Sequence, residues 1–299
     1  MKPVIAACAG LMVLLAARGA GASEKCAPIP QARIAIQLFN FASILTPSGQ
    51  GAGAAPQTIQ STFRAIRNLG FTNMERFGGT LGLTVSDYVA LAKKSGLAII
   101  GGHDQLDMAQ WDRTLGNARA MGQRYVGSAG FGKPGFDSLE HTLQTARNLN
   151  LLGKAAAEKG LILYVHNHQG ELATKYPYDL NKDGKLAPVS AWQIVAANTD
   201  ARYVHFEVDI HWARIGIGLD RFEDLLAFLR RYRGRIVMLH VKDTSADGKI
   251  TGLGEGSTDW PAVFAAAGPG IRYYIWEYDG VPDVYKAGAA AYRFLRCGG

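Results

Sequence analysis

The chain has 299 residues, of which 48% are hydrophobic, and its formal net charge is +7. This length and apolar content predict one large globular domain with a substantial core, or two small ones. Its densest basic run, Arg230, Arg231, Arg233 and Arg235, is typical of a solvated helix end and turn, so the composition gives no support for nucleic-acid binding.

The first 22 residues have the pattern of a secretory signal peptide. Lys2 precedes an apolar stretch from Val4 to Ala17, and the small residues Ala20, Gly21 and Ala22 follow. A membrane anchor is the alternative, but the stretch is short for a span and ends in Arg18. A lipid-attachment box at Cys8 would have no apolar stretch before it. We therefore expect cleavage, which removes Lys2 and Arg18 and lowers the charge from +7 to +5. The mature domain, residues 23–299, is then periplasmic or secreted and without a membrane contact.

Short β-branched or aromatic runs that end in polar residues recur along the mature chain. In order they are RIAIQLFN, FTNMERFG, LAIIGGHD, RYVGSAG, LILYVHNH, YVHFEVD, IVMLHVKD and RYYIWEYD. Between them lie stretches with helical spacing of apolar residues, namely TIQSTFRAIRNLG, SDYVALAKKSG, FDSLEHTLQTARNLNLLGKAAAEKG, SAWQIVAAN, DRFEDLLAFLRRYRG and DWPAVFAAAG.

Eight alternating units of this kind predict an α/β fold in which a parallel sheet closes into a (β/α)8 TIM barrel. An open doubly wound sheet is the alternative, but no G-x-G-x-x-G follows the first run. A barrel brings its first strand close to its last helix, and therefore Cys26 close to Cys297. In an oxidising compartment the two could form a disulfide; two free thiols are the alternative.

Active sites of barrels lie at the carboxyl ends of the strands, so the last polar residues of each run are the candidates. They are Gln37, Asn40, Glu75, His103, His166, His168, Glu171, Glu207, Asp209, His211, His240, Lys242, Asp243, Glu277 and Asp279. Because side chains alternate along a strand, Glu207 and Asp209 share one face. Asp209, His240 and Glu277 occupy comparable positions on three adjacent strands. Carboxylate and imidazole ligands of this kind suit Mn²⁺, Co²⁺, Mg²⁺ or Zn²⁺ without choosing among them.

Several motifs together resemble the xylose-isomerase-like TIM-barrel superfamily, the sugar phosphate isomerase/epimerase family. They are AAAEKGLILYVHNHQGEL, HFEVDIHW, IVMLHVKD, GLGEGSTDWPAVFAAAG and YYIWEYDG, and the likeness extends from about Arg33 to Leu295. The resemblance implies one divalent metal held by Glu, Asp, His and Glu, of which the last three would be Asp209, His240 and Glu277.

The sequence departs from the family at two positions. Where many relatives have glutamate followed by asparagine, the fifth strand has His166 followed by Asn167. Either His166 replaces that glutamate or Glu171 swings in, and His166 is preferred because it occupies the matching position. Where many relatives have a histidine three residues after the aspartate, this chain has Trp212, with His211 one place earlier.

The resemblance implies proton movement next to a carbonyl, through an enediolate that the metal stabilises. A flanking imidazole or carboxylate, His168, Glu171 or Glu277, would move the proton. Substrate contacts are expected from Gln37, Glu75, His103, Glu207, His211 and Lys242, although Glu75 and Lys242 could instead form rim salt bridges and His103 could be a core histidine. Isomerisation, epimerisation and elimination share the first step, so the ligand set does not separate them.

The expected partner is a small-molecule sugar. Export and the lack of a glycine-rich phosphate cradle favour a free sugar, or a 3-keto-glycoside that undergoes elimination, over a sugar phosphate. A non-catalytic sugar-binding barrel is the second functional class that the sequence allows, beside the sugar enzyme. An exported endonuclease of the related apurinic-site branch is the third, and it would need more histidines and a more basic surface. The sequence leaves a homo-oligomer open.

Overall fold

A closed barrel of eight parallel strands forms the centre of the molecule. The structure is a computed structural model that describes residues 28–47 and 53–297. The barrel strands are β1 Ile34–Gln37, β2 Asn73–Phe77, β3 Ala98–His103, β4 Tyr125–Ser128, β5 Ile162–His166, β6 Val204–Asp209, β7 Ile236–Val241 and β8 Tyr273–Trp276. Each pairs with its neighbours in the chain, and β1 pairs with β8 to close the barrel, with Ile34 opposite Tyr274. The predicted (β/α)8 barrel is confirmed.

One helix follows each strand on the way to the next. These helices are α1 Pro56–Asn68, α2 Val85–Lys94, α3 Trp111–Ala120, α4 Leu139–Glu158, α5 Ala191–Asn198, α6 Phe222–Tyr232, α7 Trp260–Ala267 and α8 Val284–Leu295. Side-chain caps fix several of their starts; for example, Thr84 accepts from the Asp87 N–H and Ser138 from the His141 N–H. The buried helix residues and the outward-facing strand residues form one apolar core.

The loops carry further short elements, some of which lie at the mouth of the barrel. Helices Gln169–Ala173 and Ile210–Ile217 follow β5 and β6, and a short helix, Ala42–Leu45, follows a 3₁₀ turn at Leu38–Phe41. A further 3₁₀ turn, Gln31–Arg33, precedes β1. Antiparallel ribbons pair Lys175–Tyr178 with Ala187–Ser190, and Asp243–Thr244 with Ile250–Thr251. Within the described part of the chain, no helix combines the length and apolarity that a membrane crossing needs.

The start and the end of the described chain lie side by side. The Ile29 N–H donates to the Leu295 carbonyl at 2.9 Å, and the Arg296 side chain donates to the Ile29 carbonyl. Cys297 is disulfide-bonded. Its expected partner, Cys26, and the expected signal peptide lie outside the described residues, so both remain predictions.

The barrel interior has an apolar layer below a polar one. Ala35, Tyr164, Met238 and Ile275 belong to a small interior cluster. Two residues later on the same strands stand Gln37, His166, His240 and Glu277. Because side chains two apart share a face, the strands that build the interior core also direct the polar residues inward at the mouth.

Tyr164 needs two glycines, Gly127 on the adjacent strand β4 and Gly101 on β3 beyond it. A methyl group at Gly127 would lie 2.5 Å from the Tyr164 ring, and one at Gly101 would lie 2.9 Å from the Tyr164 hydroxyl. Contacts this short cannot be accommodated without movement of the ring or the backbone. The glycines therefore make the space in which the tyrosine hydroxyl donates to Glu75.

We expect Gly127→Ala to destabilise the protein by about 1–3 kcal/mol, because the added methyl overpacks the interior against Tyr164. The matched control is Gly116→Ala in α3, where a methyl group would meet nothing within 4 Å. In an exposed helix that change should stabilise by about 0.5–1 kcal/mol. Thermal unfolding followed by circular dichroism measures both, and equal melting temperatures for the two variants would contradict the packing argument.

Candidate functional site

Four side chains meet at the mouth of the barrel and are called the mouth cluster below. His166 ends β5, Asp209 ends β6, His240 lies near the end of β7 and Glu277 directly follows β8. All four are buried, and one nitrogen or oxygen atom from each lies within 4.8 Å of the other three. These are the four residues that the sequence and the resemblance suggested as metal ligands. The structure brings them together, while their role as ligands remains a prediction.

The two carboxylate oxygens of Asp209 have different surroundings: one caps a helix and the other faces the site. Oδ1 accepts from the Trp212 N–H at 2.9 Å and caps the helix Ile210–Ile217. Oδ2 accepts no hydrogen bond, although Lys242 Nζ lies 3.0 Å away without the alignment of one. A buried oxygen without a hydrogen bond that faces two imidazoles fits a cation ligand.

A second set of polar residues, called the deep cluster, adjoins the mouth cluster. It consists of Gln37, Glu75, Tyr164 and Glu207, which are buried, and of His103, which is half-buried. Gln37 and Tyr164 donate to Glu75, and His240 Nε2 lies 2.9 Å from the same carboxylate. Glu207 Oε2 lies 2.9 Å from His103 Nε2 and 3.0 Å from His166 Nδ1. His166 faces the deep cluster with Nδ1 and the mouth cluster with Nε2. His240 faces the deep cluster with Nε2 and the mouth cluster with Nδ1, so both rings connect the two clusters.

Carboxylates outnumber permanent cations in this region. The buried acids are Glu75, Glu207, Asp209 and Glu277, with Asp279 at the rim, and the one lysine among them is Lys242. Its Nζ lies 3.0 Å from Asp209, 2.8 Å from Glu277 and 2.9 Å from Asp279. Burying so many anions is costly unless positive charge is supplied nearby. A divalent ion in the mouth cluster fits this requirement.

The two imidazoles of the mouth cluster have opposite electrostatic surroundings. Burial and the charge of His240 lower the pKa of His166 well below its usual value, which keeps the ring neutral, as a metal ligand must be. At His240, Glu207 and Glu277 outweigh burial and raise the pKa well above its usual value. The carboxylates thus stabilise a proton on His240, and this proton would leave when a divalent ion binds, because a ligating imidazole is neutral.

The pKa values of the carboxylates are shifted in different directions, upward at Asp209 and Glu75 and downward at Glu277. Burial raises the pKa of Asp209 to about 6, against the opposing charges of Lys242 and His240. Burial also raises the pKa of Glu75, with Glu207 adding to the effect. At Glu277 the charges of Lys242 and His240 outweigh burial and hold the pKa well below its usual value. Glu277 is therefore the more strongly ionised of the two mouth carboxylates.

The mouth cluster opens into a cavity of about 880 Å³. His103, His166, His168, Lys242, Glu277 and Asp279 line its polar side. Burial and Lys242 lower the pKa of His168, so its ring is a free base at neutral pH. The ring centre lies 5.1 Å from that of His166. Of the predicted catalytic residues, His168 and Glu277 thus reach the cavity.

Glu171 takes a different place from the one that a metal ligand would need. It is buried, and its carboxylate accepts from the His168 N–H at 3.0 Å, across the start of the helix Gln169–Ala173. It is not part of the mouth cluster, which takes His166 from β5. Of the two alternatives for the fifth-strand ligand, the geometry favours His166, and it gives Glu171 the position of a support for His168.

The predicted substrate contacts separate into two groups. His103 and Lys242 line the cavity. Gln37, Glu75 and Glu207 lie in the deep cluster and line no described cavity, and His211 is buried with Nδ1 2.9 Å from Thr244 Oγ1. For these four, direct contact with a substrate remains a prediction that the geometry does not favour. Sequence reasoning missed Tyr164 as a polar partner, although its place two residues before His166 was a signal.

With this geometry established, the family can be assigned. The sequence model of the xylose isomerase-like TIM barrel family matches residues 63–294 of the chain. The chain belongs to the xylose isomerase-like TIM barrel family. No curated protein sequence matches the chain.

Solved structures of the same fold include enzymes that act on sugars. A sugar phosphate isomerase/epimerase from Parabacteroides distasonis ATCC 8503 shares 17% identity at a TM-score of 0.68, over 92% of this chain and 98% of that one. A xylose isomerase-like TIM barrel protein from Mycobacterium smegmatis in complex with magnesium shares 15% identity at a TM-score of 0.63, over 88% of this chain and 95% of that one. A 3-keto-D-glucoside 4-epimerase from E. coli shares 18% identity at a TM-score of 0.57, over 89% of this chain and 99% of that one. At these identities the likeness establishes the fold.

Glu171 should make stability depend on pH. Burial raises its pKa to about 7 from the ordinary 4.5. The folded state then holds a proton that the unfolded state has lost, so the stability from this group is full below about pH 4.5 and falls as pH rises towards 7. The full effect is up to about 3 kcal/mol. In Glu171→Gln, whose amide oxygen can still accept from His168, we expect the fall in melting temperature between pH 5 and 7.5 to shrink. An unchanged slope would contradict the assignment.

Proposed function

We propose that the protein is a divalent-metal-dependent sugar isomerase or epimerase that abstracts a proton next to a carbonyl and passes through an enediolate. The observation that carries the proposal is the mouth cluster of two imidazoles and two carboxylates, buried and open to a polar cavity. Membership of the family and the sugar epimerases among proteins of this fold support it. A bound divalent ion would supply a Lewis acid for adjacent sugar oxygens and offset developing negative charge.

The residues of the chain have separate tasks in this proposal. His166, Asp209, His240 and Glu277 would hold the ion. His168 lines the cavity beside them as a neutral imidazole and is the proton acceptor that the geometry favours. Lys242 fixes Asp209 and Glu277 through short ion pairs and lines the cavity beside them. Glu171 acts through the backbone of His168 as a positioning residue.

Elimination from a 3-keto-glycoside is the second candidate reaction. It begins with the same proton abstraction and differs in the later loss of a β-oxygen, so the same residues serve it. The structural similarity to a 3-keto-D-glucoside 4-epimerase supports a keto-glycoside as substrate. A barrel that binds sugars without reaction is the third candidate and predicts no need for a metal.

The charges around the cavity favour an uncharged sugar over a sugar phosphate. Four acids line it, Asp104, Asp107, Glu277 and Asp279, against Lys133 and Lys242. Lys242 is already paired with three carboxylates, so it offers little free charge to a phosphate. The cavity wall therefore offers few free cationic side chains to an anionic substrate.

We also propose that the enzyme is exported to the periplasm or secreted. The support is the sequence of residues 1–22, with Lys2, the apolar stretch from Val4 and the small-residue exit. Mass spectrometry of the mature amino terminus tests this. A free sugar or glycoside is the substrate class that an exported enzyme would meet.

We expect about one divalent ion per chain after incubation with Mn²⁺, Co²⁺ or Zn²⁺. Asp209→Asn and His166→Gln should weaken binding by more than about 100-fold, since even outer-shell partners of a metal are worth about 10–100-fold. Elemental analysis and calorimetric titration measure this. Glu171→Gln and His141→Ala, a change at an exposed histidine, should retain the ion. No ion in the wild type would reject the metal site, and loss of the ion in Glu171→Gln with retention in His166→Gln would reverse the choice of ligand.

Proton abstraction should be visible as exchange with solvent. In D₂O with Mn²⁺ present, keto-sugars such as fructose and ribulose should incorporate deuterium next to the carbonyl, measured by NMR. His168→Gln should slow this by about 10²–10⁴-fold, the usual contribution of general base catalysis, while its metal content stays near that of the wild type. Equal exchange in His168→Gln and wild type would remove His168 from the mechanism.

A further inference from the structure

The cavity above the mouth cluster also has an apolar part, which is called its apolar side below. Phe39, Phe77, Leu106 and Met108 line it together with the polar residues already described. Phe39 lies just after β1, Phe77 ends β2, and Leu106 and Met108 lie in the loop after β3. The apolar side is thus built from the loops of the first three strands, whereas the mouth cluster comes from the last four.

Two of these apolar side chains are unusually open to solvent. Phe39 is 42% exposed and Met108 is 50% exposed. Among the described residues, large apolar side chains with such exposure number five, and two of them face this one cavity. Single exposed apolar residues are common on any surface, but a group that lines a cavity marks a binding site.

Phe39 is held in this exposed position by two contacts. Its backbone N–H donates to the Gln37 side-chain oxygen at 3.1 Å. Its ring meets the Phe77 ring edge to face, with centroids 5.5 Å apart and an angle of 84° between the planes. The ring therefore presents a fixed apolar surface to the cavity.

The volume exceeds what one sugar ring needs. At about 880 Å³ the cavity lies near the top of the range of about 300–1,000 Å³ in which drug-sized ligands bind. Beside the apolar residues the cavity is lined by one lysine, Lys133, and by Asp104 and Asp107, of which Asp104 is already paired with Arg76. The occupant of this side should therefore be apolar and uncharged.

We infer that the substrate is a keto-sugar that carries an apolar group, such as a 3-keto aryl or alkyl glycoside, whose carbonyl activates the proton that the proposed reaction removes. The sugar ring would lie at the mouth cluster and the apolar group against Phe39 and Met108. This inference rests on the proposed function, since it takes the polar side of the cavity as the sugar site. It narrows the proposed substrate class from keto-sugars in general to keto-glycosides with an apolar aglycone.

The test compares matched pairs of methyl and phenyl glycosides by calorimetric titration of the wild type with Mn²⁺ present. Pairs of β-glucosides, β-galactosides and β-xylosides are the probes. For at least one sugar, the phenyl member should bind about 10-fold more tightly, since burying a ring against apolar surface is worth more than burying a methyl group. Phe39→Ala and Met108→Ala should each reduce this preference by about threefold or more, and metal content should stay at the wild-type level.

Leu186→Ala is the matched control, because Leu186 is 70% exposed and lines no described cavity. It should leave the preference unchanged. Equal binding of methyl and phenyl members, or a preference that survives Phe39→Ala combined with Met108→Ala, overturns the inference and leaves the sugar site standing. Failure of every glycoside to bind, with the metal in place, overturns the inference, whereas the sugar-directed function falls only if the keto-sugars also show no exchange of deuterium.

Discussion

The structure depends on the balance of charge inside the mouth of the barrel. Four carboxylates are buried there with three imidazoles and Lys242, and each acid has at least one positive or hydrogen-bonding partner. Removing one partner of a buried ion pair typically costs about 3–5 kcal/mol, because the other charge is left uncompensated. Well-packed apolar residues of similar volume often stabilise a protein as much as buried ion pairs do, or more. The cost of keeping the acids is consistent with a site that is retained for function.

The two-residue period of the strands determines where these charges lie. Tyr164, Met238 and Ile275 fill the interior below, and His166, His240 and Glu277 follow them on the same face. A strand shifted by one residue would direct its imidazole or carboxylate into the apolar layer under the helices, where nothing could pair with it. Register and charge balance therefore support one another. The glycines opposite Tyr164 belong to the same arrangement, because the tyrosine links the apolar layer to Glu75.

Much of the fold and the convergence of the mouth cluster could be predicted from the sequence, because both follow from alternation along strands. Helices α3, α8 and Ile210–Ile217 were not among the predicted helical stretches: Gly116 and Gly288 interrupt the first two, and the third is capped by Asp209, which the sequence marks as a candidate site residue. Glu171 and His211 could not be placed, because local contacts with His168 and Thr244 direct their side chains. Strand alternation does not carry that information.

The polar side and the apolar side of the cavity are positioned by different parts of the fold. The mouth cluster comes from strand ends that are fixed by barrel hydrogen bonds, whereas Phe39, Met108 and His168 lie on the segments that follow strands. In barrels of this kind the strand ends set the chemistry and the loops set the substrate. Gln37 joins the two, since its oxygen accepts from the Phe39 backbone while its nitrogen donates to Glu75. The apolar side is thus positioned by the same polar network that supports His240. One glutamine side chain therefore contacts both the segment that carries Phe39 and the carboxylate at the centre of the deep cluster.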